Sequence, residues 1–438
     1  MLKSSPSGTE VALRKKQRRA LAAAGMGTVV EFFDYASYSY LATTIASVFF
    51  PQADKTAALI QTFAIFALSF AMRPIGGLFW GHYGDRIGRR KSLILTIAGM
   101  GMATLAIGIL PGYATIGIGA PLLLVIIRLL QSFFTAGQYS GAAVLVGEFA
   151  PPRKRGRYVS VVPLGSATGF MLASALTSWL HGALGVDDML AWGWRLPFLV
   201  GGILTLIALG IRQSLEETPD FAQLQEAHAV SEAPIKTLMA RHWRVIVALL
   251  MVISVNHAGY YIILSYMATY FEVQMDMPSA QAGAITTIAL IAYLPLLYVF
   301  SAASDRFGRR PILLAGSVLL LLFSYPLFLA LPHGGFAVAL VVQLLMATFL
   351  ALNDSTFGAF FIEAFPTDIR YSGFALPFNI GAALFGGASP LFAEWLIGLT
   401  GNELVPAFIM MGVAALSLPA LLTSRETAPR LVHPARAG

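Results

Sequence analysis

Two acids three residues apart, Glu31 and Asp34, stand in an apolar run that extends from Ala20 to Phe50. In a helix, that spacing puts both carboxylates on one face, and Tyr38 shares it. Two close carboxylates in a dry site resist being ionised together, so they compete for a proton. Such a pair can load and unload protons. The plainer alternative is that each acid anchors a basic residue of another helix. Arg73 and Arg128 supply that positive charge from two further apolar runs. A guanidinium grips a carboxylate in a two-point fork. One arginine can therefore hold a ligand carboxylate while the other neutralises the acids; the alternative is two permanent structural pairs. Arg195, at the end of another run, suits a structural or access role. In the second half, Asp354 follows Asn353 in mid-run. Ionisable groups there are costly and usually functional. A lone acid suits the cationic part of a ligand, or else a hydrogen bond to a neighbouring helix. Gln131, Gln138, Tyr139, Asn256, Tyr260 and Asn379 are placed to line a cavity. His257 reads as a helix contact. The Tyr260/Tyr261 pair offers a cation–π surface to a quaternary ammonium. Aromatics make up 12% of the chain, so most of them serve packing or face lipid.

These groups need elements to hold them, and composition says which. The chain has 438 residues, 57% apolar and 12% charged. That charge content is about half the soluble norm. A membrane-spanning helix needs about 20 apolar residues. Helices are expected at about 20–50, 57–81, 92–111, 119–150, 157–183, 194–212, 244–271, 279–304, 311–331, 336–364, 371–399 and 404–424, because lipid offers backbone groups no partner. The expected fold is an all-α membrane protein with twelve spans and no β-barrel pattern. A soluble enzyme, a disordered chain and a nucleic-acid binder are excluded. There is no cysteine, hence no disulfide or thiolate chemistry. No P-loop, Ser/His/Asp triad or metal-ligand cluster stands out, so no cofactor is expected.

The basic residues set the orientation. Lys and Arg number 29 against 22 Asp and Glu. In a twelve-span arrangement only Lys55 falls in a loop on the far side, Arg73, Arg128 and Arg195 fall within spans, and the rest cluster on one side. By the positive-inside rule both termini are cytoplasmic. The basic excess is thus a topology signal. The expected organisation is a tail 1–19, a six-helix bundle 20–212, a central loop 213–243, a second bundle 244–424 and a tail 425–438.

A repeat links the halves. Gly81-His-Tyr-Gly-Asp85-Arg86-Ile-Gly88-Arg89-Arg90 returns half a chain later as Ser301-Ala-Ala-Ser-Asp305-Arg306-Phe-Gly308-Arg309-Arg310. Glu148-Phe-Ala-Pro151 is echoed by Glu363-Ala-Phe-Pro366. Two parallel six-helix repeats mark a transporter architecture.

On these residues the sequence resembles the major facilitator superfamily. GxxxDRxGRR is similar to its cytoplasmic gate motif. Arg128-Leu-Leu-Gln131-Ser-Phe-Phe-Thr-Ala-Gly137 is similar to its span-4 RxxQGxxxG motif, with Ser132 in place of glycine. Glu31-Phe-Phe-Asp34, Arg73-Pro-Ile-Gly-Gly77, Trp192-Gly-Trp-Arg195-Leu-Pro-Phe198 and Glu216-Glu-Thr218 resemble the metabolite:proton symporters, which include proline/betaine, α-ketoglutarate, citrate and shikimate carriers. Asn256-His-Ala-Gly-Tyr260-Tyr261 and Pro366-Thr-Asp-Ile-Arg370-Tyr-Ser look most like the proline/betaine group. Ala136-Gly137-Gln138 stands where relatives commonly have GGE. The 425–438 tail has no heptads, so osmotic sensing through a coiled coil is not expected.

The resemblance implies proton-driven uptake of a small carboxylate-bearing metabolite across the inner membrane by a monomer. Glu31 and Asp34 would couple the proton. Tyr38, Arg73, Arg128 and the cavity-lining residues above would bind substrate. Asp85, Arg86, Arg89 and Glu148, with Asp305, Arg306, Arg309 and Glu363, would latch the cytoplasmic side. A zwitterion such as proline or betaine suits Asp354, whereas a di- or tricarboxylate needs only Arg73 and Arg128. An apolar-drug exporter, the remaining alternative, would carry less fixed charge.

Overall fold

The computed structural model describes the backbone of residues 8–87, 89–213, 234–366 and 369–432, and their side chains apart from 8–16, 81–92, 234–237 and 333. Every regular element among these is helical. The long stretches are α1 (Gly8–Tyr40, continued past a turn by Ala42–Phe49), α2 (Lys55–Trp80), α3 (Arg89–Gly108), α4 (Gly119–Phe149), α5 (Pro152–Ala191), α6 (Gly193–Gln213), α7 (Trp243–Gln274), α8 (Ser279–Phe307), α9 (Arg309–Ala330), α10 (Gly335–Glu363), α11 (Arg370–Thr400) and α12 (Val405–Thr423). Ten of them, α2 and α4 to α12, are long and apolar enough to cross a membrane. The apolar part of α3, Leu93–Gly108, is shorter, and α1 carries two acids in its middle.

Two boundaries depart from expectation. α1 begins at Gly8, well before Ala20. The helix expected at 157–183 runs on to Ala191 through a break at Gly185, whose φ of +73° suits glycine. Of the expected central loop, Pro234–Arg241 is helical. Residues 214–233, with Glu216 and Thr218, lie outside the described residues.

Helices α1 to α6 pack chiefly on one another, with α1 against α5, α6 and the second half of α4. Helices α7 to α12 do likewise, with α7 against α12, and α10 against α8 and α9. The two sets meet where α5 packs on α8, and where α11 packs on α2 and α4. Small residues decide how closely the helices approach. A Cβ on Gly169 would lie 2.4 Å from the Val29 carbonyl oxygen of α1, and one on Gly165 would lie 2.5 Å from that of Gly25. Only glycine permits this backbone contact between α1 and α5. Exposed Met102, Ile109, Trp179, Leu206, Leu322 and Leu399 give the outer surface an apolar character suited to lipid.

Two helices are interrupted near their centres. α7 makes a π-helical turn at Ile262–Tyr266, and α11 makes another at Ala382–Gly386. Such turns break the i→i−4 ladder and are frequent at functional sites. Side chains satisfy the loosened carbonyls of α7: the Gln343 amide donates to Ile263 O at 2.9 Å, and the Tyr40 hydroxyl donates to Leu264 O. α4 is also broken, at Ala136–Gly137. The Asn379 amide donates to Ala136 O at 3.0 Å and the Tyr371 hydroxyl to Gly137 O at 3.2 Å. The Ala136-Gly137-Gln138 segment, which departs from the GGE of relatives, therefore falls at a break that α11 holds.

Candidate functional site

The first half encloses an ionic core. Arg73 on α2 donates to Glu31 on α1 at 3.0 Å. Arg128 on α4 lies 3.6 Å from Asp34. Both arginines thus pair with an acid of α1. Arg128 also donates to Gln131 Oε1 at 2.6 Å, and the Gln131 amide donates to Thr104 on α3 at 3.0 Å. The rings of α1 support the guanidinium groups. Arg73 lies 4.8 Å from the centre of Tyr35, and Arg128 lies 4.4 Å from that of Tyr38. The Tyr38 hydroxyl donates to Thr62 O. Buried ion pairs recover their desolvation cost only where geometry and extra hydrogen bonds are good. Here the satisfaction is incomplete: Nε and Nη2 of Arg128 have no hydrogen-bond partner among the described residues.

The second half presents a buried carboxylate. Asp354 on α10 accepts from Asn256 on α7 at 2.8 Å and from Tyr293 on α8 at 2.7 Å. Both oxygens are hydrogen-bonded, but among the described residues no cation lies within ion-pair distance. Beside it the Tyr139 ring stacks on Phe378 with centroids 4.5 Å apart, and Phe357 continues the stack. Tyr260 stands against Phe32 and Phe170. The Tyr260 hydroxyl, both amide atoms of Gln138 and of Asn353, and Asn379 Oδ1 are buried without hydrogen-bond partners among the described residues. Unsatisfied buried polar groups are rare and mark strain or an absent companion. His257 pairs with Phe378 O at 3.0 Å, as a helix contact would. Glu31, Asp34, Arg73, Arg128 and Asp354 are all at most 2% exposed, so both ends are closed over this centre.

One end is held by ions. Asp305 accepts from the backbone N–H groups of Gly156 at 2.9 Å and Arg157 at 3.1 Å, in the first turn of α5. It also pairs with Arg309 at 2.8 Å and with the Arg157 guanidinium at 3.8 Å. Arg309 reaches Glu363 at 3.2 Å, and Arg155 reaches Glu363 at 3.7 Å. Arg370 lies 3.8 Å from Glu148. Asp305, Glu363 and Arg370 of the second half thus engage the first half through Arg155, Arg157, Glu148 and the α5 N-terminus, and Arg309 joins Asp305 to Glu363. Arg306 is exposed, its guanidinium 5.2 Å from the Phe307 ring centre, and lies outside this network. The side chains of Asp85, Arg86 and Arg89 fall outside the described residues.

The other end opens into a cavity of about 520 Å³ lined by Thr43, Thr44, Lys55, His181, Glu272 and Glu394 among others. Below it, Ser265 donates to Ser39 at 2.6 Å and Tyr266 donates to Glu394 at 2.6 Å. The sequence reading passed over Tyr293, Glu394 and Arg212. Tyr293 is one tyrosine among 15, with no pattern to single it out. Arg212 is one of the basic residues that cluster on one side in the twelve-span arrangement, yet its side chain is buried, with 3% exposed.

Comparison with known proteins agrees with this architecture. The Major Facilitator Superfamily profile matches residues 28–284 and 249–438. A proline/betaine transporter of Escherichia coli (strain K12) is 36% identical over 427 residues, covering 95% of this chain and 85% of that protein. The inner membrane metabolite transport protein YhjE of the same strain is 36% identical over 420 residues, covering 94% of each. The solved structure of the proton:xylose symporter XylE bound to 6-bromo-6-deoxy-D-glucose superposes with a TM-score of 0.76 over 94% of this chain and 97% of that one, at 19% identity. With a profile that spans nearly the whole sequence and relatives this similar along it, the chain belongs to the Major Facilitator Superfamily.

Proposed function

We propose that the chain is a secondary active transporter of the inner membrane, importing a small zwitterion together with protons. The observation that carries the substrate class is that the closed centre holds balanced ion pairs in one half and a carboxylate without an ion-pair partner among the described residues in the other. On one side Arg128 keeps unpartnered donors. On the other, Asp354 has hydrogen bonds but no cation among the described residues. A substrate carboxylate would meet Arg128, and its ammonium would meet Asp354 and the Tyr139/Tyr260 wall. The names of the relatives, a proline/betaine transporter and a metabolite transport protein, favour the same class. A polyanion would be repelled by Asp354, and an apolar drug would not need these charges.

Glu31 and Asp34 are the proton carriers in this reading, since each is a buried acid whose ion pair alters when a proton arrives. Coupling requires that protonation change the balance between the two states. The spans number twelve, in bundles 20–212 and 244–424, with both termini cytoplasmic. The latch of Asp305, Arg309 and Glu363 then closes the cytoplasmic side. The carrier works as a monomer, with no cofactor beyond the proton gradient. Counterflow in proteoliposomes with labelled betaine, proline and citrate, with and without an imposed pH difference, tests the reading. Exchange of citrate alone, or zwitterion uptake indifferent to the pH gradient, contradicts it.

A further inference from the structure

Arg212 ends the apolar helix α6, yet its side chain is 3% exposed. Its Nη1 donates to the Leu93 carbonyl at 2.9 Å, in the first turns of α3. Among the described residues no carboxylate lies within ion-pair distance. A buried, unpaired guanidinium is costly, so a charge nearby must account for it. The position of Gly27 indicates which. A Cβ on Gly27 would lie 2.1 Å from Arg212 Nη2 and 3.0 Å from its Cζ. The guanidinium therefore rests on the bare backbone of α1. Gly27 precedes Glu31 by four residues, so Arg212 sits one turn below Glu31 on the same face. Glu31 feels its charge as well as that of Arg73.

We propose that Arg212 is the second counter-ion of Glu31, positioned on the latch side of the carboxyl, and that it drives release of the proton in that direction. This rests on Glu31 being the proton carrier. The charged groups facing Glu31 are Arg73 from α2, Asp34 from its own helix and Arg212 from α6. Arg73 holds the carboxylate from the helix that also packs on α11. Arg212 acts on it through space from the end where Leu93 and the latch lie. When the latch opens, water arrives at the Arg212 side. The Glu31 carboxyl gives its proton to that water and becomes a carboxylate between two guanidinium groups. No other bond changes. Without Arg212 the carboxylate would be left with one counter-ion, and the proton would be retained after substrate has gone. Arg212 is a positioning residue here, since it acts on the proton through Glu31 and touches no substrate.

The test compares Arg212→Gln, Arg212→Lys, Gly27→Ala and Glu31→Gln in proteoliposomes. Gly27→Ala pushes the guanidinium aside without changing any charge. Arg212→Gln and Gly27→Ala should lower proton-driven accumulation of labelled betaine by roughly 10-fold, within the usual range of a coupling free energy. Counterflow exchange, which needs no net proton release, should stay near wild type, and this excludes a folding defect. Arg212→Lys should recover accumulation, because it restores the charge. The uptake rate of Arg212→Gln should be slowed more at acid internal pH than that of wild type, because the proton must then leave toward a more acid side. If Glu31→Gln loses accumulation while Arg212→Gln and Gly27→Ala keep it, with an unchanged pH profile, the role of Arg212 is overturned and coupling at Glu31 stands. If Glu31→Gln accumulates betaine like wild type, the coupling site itself is wrong. Loss of exchange in Arg212→Gln and Arg212→Lys alike would make Arg212 structural and also overturn the proposal.

Discussion

Asp354→Asn separates the substrate classes. The carboxylate has one donor on each oxygen, Asn256 at 2.8 Å and Tyr293 at 2.7 Å. An asparagine can keep both contacts. Its carbonyl still accepts from the Tyr293 hydroxyl, and its amide meets the Asn256 carbonyl once that side chain turns over. The change therefore removes the charge and leaves packing nearly intact. A hydrogen bond to a buried charged group is worth about 1.5–3 kcal/mol. Losing it weakens proline, whose ammonium can donate, by roughly 10- to 150-fold in Kd; betaine has no N–H and loses the charge–charge attraction to Asp354 instead. A substrate without a cationic group loses nothing, and a polyanion gains from the removed repulsion. The assay is a binding titration of wild type and Asp354→Asn in detergent with betaine, proline and citrate. The expected result is weaker betaine and proline binding with a thermal midpoint close to wild type. Unchanged betaine affinity would show that Asp354 serves only its neighbours on α7 and α8. Citrate binding by wild type with no response to zwitterions would end the zwitterion assignment.

Glu31→Gln or Asp34→Asn should abolish accumulation driven by a pH gradient, with at least one of them retaining exchange; proton-flux and counterflow measurements check this, and wild-type accumulation by both would move the proton site elsewhere. Asp305→Asn removes the charge that joins Arg309 to the α5 N-terminus, costing the latched state about 1–3 kcal/mol. It should shift labelling of a cysteine placed near Arg155 by roughly 10-fold or more toward the open form, with substrate affinity in detergent little changed. Gly169→Ala should force α1 from α5 at the 2.4 Å approach. Overpacking of that kind costs about 1–3 kcal/mol, read as a lower thermal midpoint; an unchanged midpoint would mean that the helices can separate freely.

Much of this protein was legible in its sequence because the bilayer narrows the choices. Long apolar runs can only be helices, so the all-helical architecture and most helix positions follow from hydropathy alone. The DRxGRR repeat and the Glu31/Asp34 and Arg128/Gln131 motifs carry the family, because each needs its residues at a fixed helical spacing. The spacing of three in α1 likewise established that both acids share a face. What the spacing left open was the partner of each group, since distant helices meet only in three dimensions. Tertiary packing assigned Arg73 to Glu31 and Arg128 to Asp34, and gave Asp354 two neutral donors instead of a cation. It brought Asp305 to the backbone of Gly156, a contact between residues 149 apart in the chain. It also buried the side chain of Arg212, one of the basic residues on the cytoplasmic side of the expected topology. No hydropathy window detects that, because a helix end is placed in water or in protein by what packs beside it. Gly27 supplies the space for this arginine, and it reads in the sequence as one of 41 glycines. Its role appears only where α6 crosses α1, because a missing side chain has meaning only against the neighbour that fills its place.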